Sequence, residues 1–224
     1  MSDIIRENTV SARDQLPASD TVFYLGSPRA PHRILIVGNS ITRHGKKPDI
    51  GWNNDFGMAA SAVENDYVHL LERMVNEETD TALFMIRQAS TWERGFTEPN
   101  ALEDFKTERA FDPDILIFRL GENVPKDADP AQYASALEAF VQYVCPNGKG
   151  IFTTTVWQSE SRSAPIRALA KKRNEPCIEL SEIGTRDDLM AIGKFEHRGV
   201  SIHPGDKGMR YIAEKIFEAL KKSL

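Results

Sequence analysis

Arg33-Ile34-Leu35-Ile36-Val37-Gly38-Asn39-Ser40 is the stretch that decides the fold. Residues 34–37 are all apolar, three of them β-branched, and no polar residue alternates among them. Such a run reads as a strand over 33–37 buried on both faces, which belongs to a parallel sheet covered by helices. Sheets of that kind bind ligands beyond the carboxyl ends of their strands. The residues that stop this strand, Gly38-Asn39-Ser40, are therefore the first place to look for chemistry.

The pattern repeats downstream. Strands are expected at 81–86, 114–118, 150–156 and 176–180. Helices are expected at 58–76, 98–109, 130–144 (opened by Pro130), 162–174 and 206–222, with a small one near 185–191. Alternating strands and helices give an α/β class: a three-layer α/β/α sandwich around a central, mostly five-stranded parallel sheet, flavodoxin-like in layout. Residues 1–30 read as a lead-in to a single domain at 31–224. Within it Thr21–Gly26 is either an extra strand or a segment laid across the body.

The chain has 224 residues, enough for one sizeable core and short for two. Its net charge of −5 lacks the broad positive field of a nucleic-acid binder, so no nucleic-acid partner is expected. Lys171-Lys172-Arg173 reads as a solvated helix face. Cys145 and Cys177 have neither metal-site nor disulfide-framework spacing and read as buried free thiols, which suits a reducing compartment. Met1–Asp20 is polar and holds no signal-like or membrane-spanning run, so the expectation is a cytoplasmic protein with no membrane partner. No metal spacing and no phosphate loop occur, and neither metal nor cofactor is expected.

Three strand ends or loops carry suggestive residues. Ser40 follows the first strand on a turn that glycine permits, and a helical turn after it would aim N–H groups at an incoming oxyanion. Leu120-Gly121-Glu122-Asn123 follows the third strand, and the Asn123 amide could donate to an oxyanion. His203-Pro204 precedes the last helix, where a loop histidine can reach a serine and take its proton. Each alone is also an ordinary turn or cap, and Asp206 reads as the N-cap of the last helix.

Together and in this order the three motifs resemble the SGNH (GDSL-like) hydrolase superfamily over about residues 32–220. The resemblance implies a serine esterase on a small-molecule ester, an acylated sugar being one candidate. Ser40 would be the nucleophile and His203 the base, with Ser40, Asn123, Gly121 and Ser90 as oxyanion donors. An acyltransferase using the same pair, or a non-catalytic binding domain on the same fold, would leave the same motifs. The oligomeric state is not legible.

Two departures stand out. Asparagine occupies position 39, where aspartate is commonest, and Val200 stands where the family's aspartate would orient the histidine. The partner of His203 must then be a backbone carbonyl or another carboxylate, with Glu196 and Asp206 nearest in sequence. The second block, Arg87–Gly95, lacks the family's glycine, so Ala89 or Ser90 would supply that N–H. Its Glu93 and Arg94 read as a surface pair, and Asp55 could cap the helix after it. Asn39, Trp52, Asn54, Asp55 and Trp92 are the candidate substrate contacts. His44 could line the pocket; His32, His69 and His197 read as background.

Overall fold

The computed structural model describes residues 22–78 and 82–224. Of the lead-in expected at 1–30, residues 1–21 lie outside them.

The sheet has six strands: β1 (Val22–Gly26), β2 (His32–Gly38), β3 (Ala82–Gln88), β4 (Ile115–Arg119), β5 (Lys149–Thr153) and β6 (Cys177–Ile178), in the order β1-β3-β2-β4-β5-β6. β2 to β6 form the expected five-stranded parallel array, and β1 adds an antiparallel edge against β3. The run expected at 21–26 is thus the extra strand over its described residues, Val22–Gly26.

The strands are apolar on both sides because both sides are covered. Ile34 and Ile36 of β2 join Phe84, Ile86, Ile115 and Ile117 in a core beneath α1 (Tyr67–Glu78) and the last helix, α7 (Asp206–Leu220). Leu35 and Val37 point the other way, with Met85, Leu116, Phe118 and Phe152. They meet α2 (Ser90–Gly95), α4 (Pro130–Val144) and α5 (Glu160–Arg173). The two-residue side-chain period of a strand produces this split.

Helix α4 spans the expected residues: Asp129 accepts from Ala131 N at 2.7 Å and Gln132 N at 3.1 Å, and Pro130 needs no N–H there. Elsewhere the boundaries moved for local reasons. Helix α1 starts at Tyr67 rather than 58. Ala59 has a left-handed φ of 75°, which breaks the helix, and Asp66 caps the new start by accepting from His69 N at 2.8 Å. Residues 98–109 hold only a 3-10 turn before α3 (Lys106–Phe111), and near 185–191 stand two 3-10 turns, Ile183–Thr185 and Asp187–Leu189. Asp206 is not the N-cap of α7: Gly205 is, and Asp206 accepts instead from Ser61 N (2.8 Å) and Ser61 Oγ (2.6 Å). Cys145 is buried and Cys177 only half-buried; both are free.

β2 lies between β3 and β4, so the chain winds outward in both directions from it. The carboxyl end of β2 is the switch point of the sheet, the place where such folds expose a crevice. Ser40 stands two residues beyond it.

Candidate active site

Gly38 ends β2 because Thr42 folds back over it: a Cβ there would lie 1.7 Å from Thr42 Oγ1. The turn is closed by Thr42 N and Arg43 N, which both donate to Asn39 O (2.9 and 3.0 Å). Thr42 Oγ1 bonds the buried Tyr67 hydroxyl at 2.7 Å, tying the turn to α1. Ser40 O accepts from Met58 N at 2.9 Å. Ser40 is thereby fixed and half-buried, and its Oγ lies 2.8 Å from His203 Nε2.

His203 is oriented by backbone. Its Nδ1 lies 2.6 Å from the carbonyl oxygen of Gly199. That oxygen is available because α6 (Arg198–Ser201) is a single turn that closes tightly: His203 N donates to Val200 O rather than Gly199 O. A helix end leaves such carbonyls unpaired, and here the histidine ring takes one. A carbonyl only accepts, so Nδ1 carries the hydrogen and Nε2 is left with its lone pair toward Ser40. Of the carboxylates nearest in sequence, Asp206 is engaged with Ser61, and Glu196 is exposed. Val200 packs with Ile50, Trp52, Met58, Ala59 and Ala191, an apolar pocket hostile to a carboxylate. Trp157, just past β5, meets the His203 ring edge-on at 5.6 Å. Burial pushes the His203 pKa down to about 3, against the pull of the Gly199 carbonyl. The direction carries the argument: a neutral imidazole at neutral pH.

Beneath Ser40 lies a buried polar network the sequence reading did not foresee. Glu93, expected at the surface beside Arg94, is fully buried. Its Oε1 accepts from Gly121 N, Asn123 N (3.2 Å) and Asn39 Nδ2 (3.3 Å), and its Oε2 accepts from Asn123 Nδ2 at 2.7 Å. Glu122 Oε1 accepts from both terminal nitrogens of Arg119 (2.9 Å each) and from Val156 N (3.0 Å). Its Oε2 accepts from Asn39 Nδ2 at 2.6 Å. The bond to Val156 also explains why β5 stops at Thr153 rather than 156: the chain leaves the sheet to reach Glu122.

Asn39 thus donates to two carboxylates at once, while its Oδ1 accepts from Ile41 N (3.3 Å) and Arg119 Nη2 (3.4 Å). An aspartate has no N–H to offer there. The departure at 39 and the burial of Glu93 and Glu122 are one arrangement.

The remaining expected residues divide. Asn123 stands on the loop after β4, half-buried, with one amide N–H on Glu93 and its Oδ1 accepting from Arg94 at 2.9 Å. Gly121, with a φ of 137° that suits only glycine, spends its N–H on Glu93. Ser90 N donates to Gln88 Oε1 at 3.2 Å, and Ala89 N to Gly38 O at 2.7 Å, so both amides of the second block are engaged inside the fold. Trp52 is fully buried between Phe56 and Phe195, with Nε1 on His44 O at 3.0 Å. Trp92 is buried among Phe96, Phe118 and Phe140. Trp52 and Asn39 are fully buried, and Trp92 is nearly so, reaching only a pocket with Phe96, Pro99 and Leu102 that neither Ser40 nor His203 lines, so these three expected substrate contacts are not brought to the Ser40–His203 pair. Asn54 is half-buried and Asp55 exposed, near Arg43 rather than capping a helix. His44 is buried with Nδ1 on Gly45 O at 2.7 Å. Among the described residues no group of side chains is suited to hold a metal ion.

No protein-family model matches the chain, and no curated protein matches it either. Solved structures do. A lipase/acylhydrolase from Enterococcus faecalis shares 15% identity at a TM-score of 0.58, covering 85% of this chain and 96% of that one. The psychrotrophic esterase EstA from a Pseudoalteromonas species shares 16% at a TM-score of 0.51, covering 85% and 97%. The fold is that of the SGNH (GDSL-like) hydrolases. A family two carbohydrate esterase from Clostridium thermocellum is similar in fold as well, at 13% identity and a TM-score of 0.57, covering 86% of this chain and 64% of that one. Among the described residues no helix is long and apolar enough to cross a membrane.

Proposed function

We propose that the protein is a serine esterase acting on a small acyl ester, with Ser40 as nucleophile and His203 as general base. The observation that carries this reading is the 2.8 Å contact of Ser40 Oγ with His203 Nε2, on a ring whose other nitrogen is fixed by Gly199 O. A binding domain has no need of that pairing.

In the first step His203 Nε2 takes the Ser40 proton as Oγ bonds to the acyl carbon, and the carbonyl pair moves onto oxygen. The Asn123 amide and the Ser40 N–H, for which no partner is found among the described residues, are the candidate donors to that oxygen. Collapse expels the alcohol, which leaves with the proton from Nε2. Water then repeats the sequence on the acyl-serine with His203 in the same two roles. An alcohol in place of that water would make the reaction an acyl transfer.

The imidazolium formed in each step faces a carbonyl dipole rather than a carboxylate. A dipole fixes the tautomer but stabilises the charge less. This favours esters, whose alcohol departs readily, over amides. A cleft of about 540 Å³ is lined by Gln158, Ser159, Ser163 and Ser181 with Arg167, Glu160 and Glu179, and none of Ser40, His203 and Asn123 lines it. The carbohydrate esterase among the structures of similar fold makes an O-acylated sugar the first ester to try. The cytoplasm is the proposed location.

Purified wild type and Ser40→Ala compared on p-nitrophenyl acetate test the reading. Wild type is expected to turn over and to be labelled by a fluorophosphonate, with Ser40→Ala at background in both. Equal rates and no label would reject it.

A further inference from the structure

Glu93 makes contacts of one kind only: it accepts. Four N–H bonds end on its two oxygens, three at Oε1 and the Asn123 side-chain amide alone at Oε2. An ionised carboxylate receives all four. A protonated one turns an oxygen into a donor, and that oxygen then meets a donor. Oε2 is the site where a proton displaces fewest partners, and the partner it displaces is Asn123 Nδ2.

Resting on the esterase reading above, we propose that Glu93 is a positioning residue for the oxyanion hole: its carboxylate holds one N–H of the Asn123 amide so that the other is presented to the acyl oxygen, and protonation of Glu93 releases it. The second block of the sequence thereby serves the oxyanion site through a side chain, although its own amides, those of Ala89 and Ser90, are engaged elsewhere.

The groups around Glu93 decide where it titrates. From the β4 side it faces Glu122 and, beyond that, Arg119; from α4 it faces Tyr133, which is itself near Arg162 of α5. From its own helix, Arg94 reaches it through Asn123 Oδ1. Burial, and then the Glu122 charge, push Glu93 up to about 7, against the pull of the Asn123 and Gly121 donors. His203 is shifted the opposite way, so an acid limb near neutrality belongs to Glu93.

The experiment is the pH dependence of kcat and KM on p-nitrophenyl acetate for wild type, Glu93→Gln, Asn123→Ala and the double variant. Wild-type kcat is expected to rise through a limb near neutral pH. Glu93→Gln is expected to lose the limb and about 10²-fold in kcat with little change in KM, the loss typical of one oxyanion donor. The double variant is expected to be no slower than Asn123→Ala, because Glu93 acts through that residue. An unchanged limb and kcat in Glu93→Gln, or losses that multiply in the double variant, overturn the proposal. Should Glu93→Gln fail to fold, wild type alone decides. Its Asn123 side-chain amide must shift in NMR spectra with the same midpoint as kcat, and a flat kcat or an unmoved amide overturns the proposal. Wild type no faster than Ser40→Ala would instead strike the esterase reading, a result separable from all of these.

Discussion

Asn39→Asp restores the residue commonest at this position in the resembled family, and it is expected to damage this protein. Asn39 is fully buried, and its Nδ2 donates to Glu122 Oε2 at 2.6 Å and to Glu93 Oε1 at 3.3 Å. Aspartate replaces that donor with a carboxylate oxygen, so a third carboxylate enters a site where Arg119 is the cation in direct contact. A hydrogen bond to a charged group is worth about 1.5–3 kcal/mol, and leaving a buried charge uncompensated costs about 3–5 kcal/mol. The upper figure should apply at pH 8, where the introduced carboxyl would be ionised in the unfolded chain. For a protein of this size that is a drop of roughly 10 °C in Tm. At acid pH the loss should shrink. Folding raises the pKa of the introduced carboxyl, so its stability is present below the unfolded value and is lost as pH rises through the folded one. Once protonated, that carboxyl also regains an O–H to give Glu122. Urea unfolding at pH 5 and pH 8 measures the difference. A variant as stable as wild type at pH 8, or equally destabilised at both pH values, would refute the reasoning.

Three further outcomes are expected. Trp52→Ala should cost about 3–5 kcal/mol, as removal of a buried aromatic does, while KM of the folded fraction stays at the wild-type value; a KM effect without destabilisation would return Trp52 to the substrate site. Val200→Asp should not complete a triad: the carboxylate enters the apolar Trp52 pocket, and unfolding measurements should show a loss of about 3 kcal/mol or more with no gain in kcat. Stability against pH should expose Glu93 and His203 as opposing contributions. Glu93 is raised from 4.5 to about 7, so its contribution falls as pH rises across that window. His203 is lowered from 6.5, so its contribution is present above 6.5 and lost toward acid. Glu93→Gln removes the first, and its urea midpoint should then climb between pH 4.5 and 6.5 more steeply than that of wild type, by at most about 1.4 kcal/mol per pH unit. Parallel curves would contradict the Glu93 assignment.

The strands were legible because burial on both faces leaves no polar residue inside them. The Ser40–His203 pair was legible because both sit where a parallel sheet presents its ligands. Gly199 was not, because its contribution is a carbonyl that any residue possesses. It became available only through the way a one-turn helix closes. Glu93 and Arg94 look like a surface pair in a polar stretch. The burial of Glu93 follows from α2 placing it under the loop after β4, a tertiary event with no local signature. Trp52 and Trp92 misled for the converse reason. Aromatic residues in polar loops invite a reading as pocket walls, yet each is spent on packing: Trp52 against Phe56 and Phe195, Trp92 within the core around Phe140. Trp157 was overlooked although it follows a strand end, because the apolar run over 150–156 draws the eye to the strand rather than to what comes after it.

The two departures from the family pattern have a common electrostatic sense. Negative charge is concentrated on one side of Ser40, where Glu93 and Glu122 lie under Asn39, and is missing on the other, where Val200 lines an apolar pocket behind His203. Arg119 balances Glu122 directly. Glu93 is balanced by N–H dipoles, and its burial is tolerable for that reason. Three of those four dipoles come from the loop that carries Asn123, so the same contacts that pacify a buried acid also hold the loop. An aspartate behind the histidine would strengthen the base, but it would require opening the pocket that Trp52 and Val200 close. With a carbonyl in that place the ring keeps its tautomer and its reach to Ser40 and gives up charge stabilisation. In the proposed reaction the burden then falls on the oxyanion side, where the proposed positioning of Asn123 depends on the charge of Glu93.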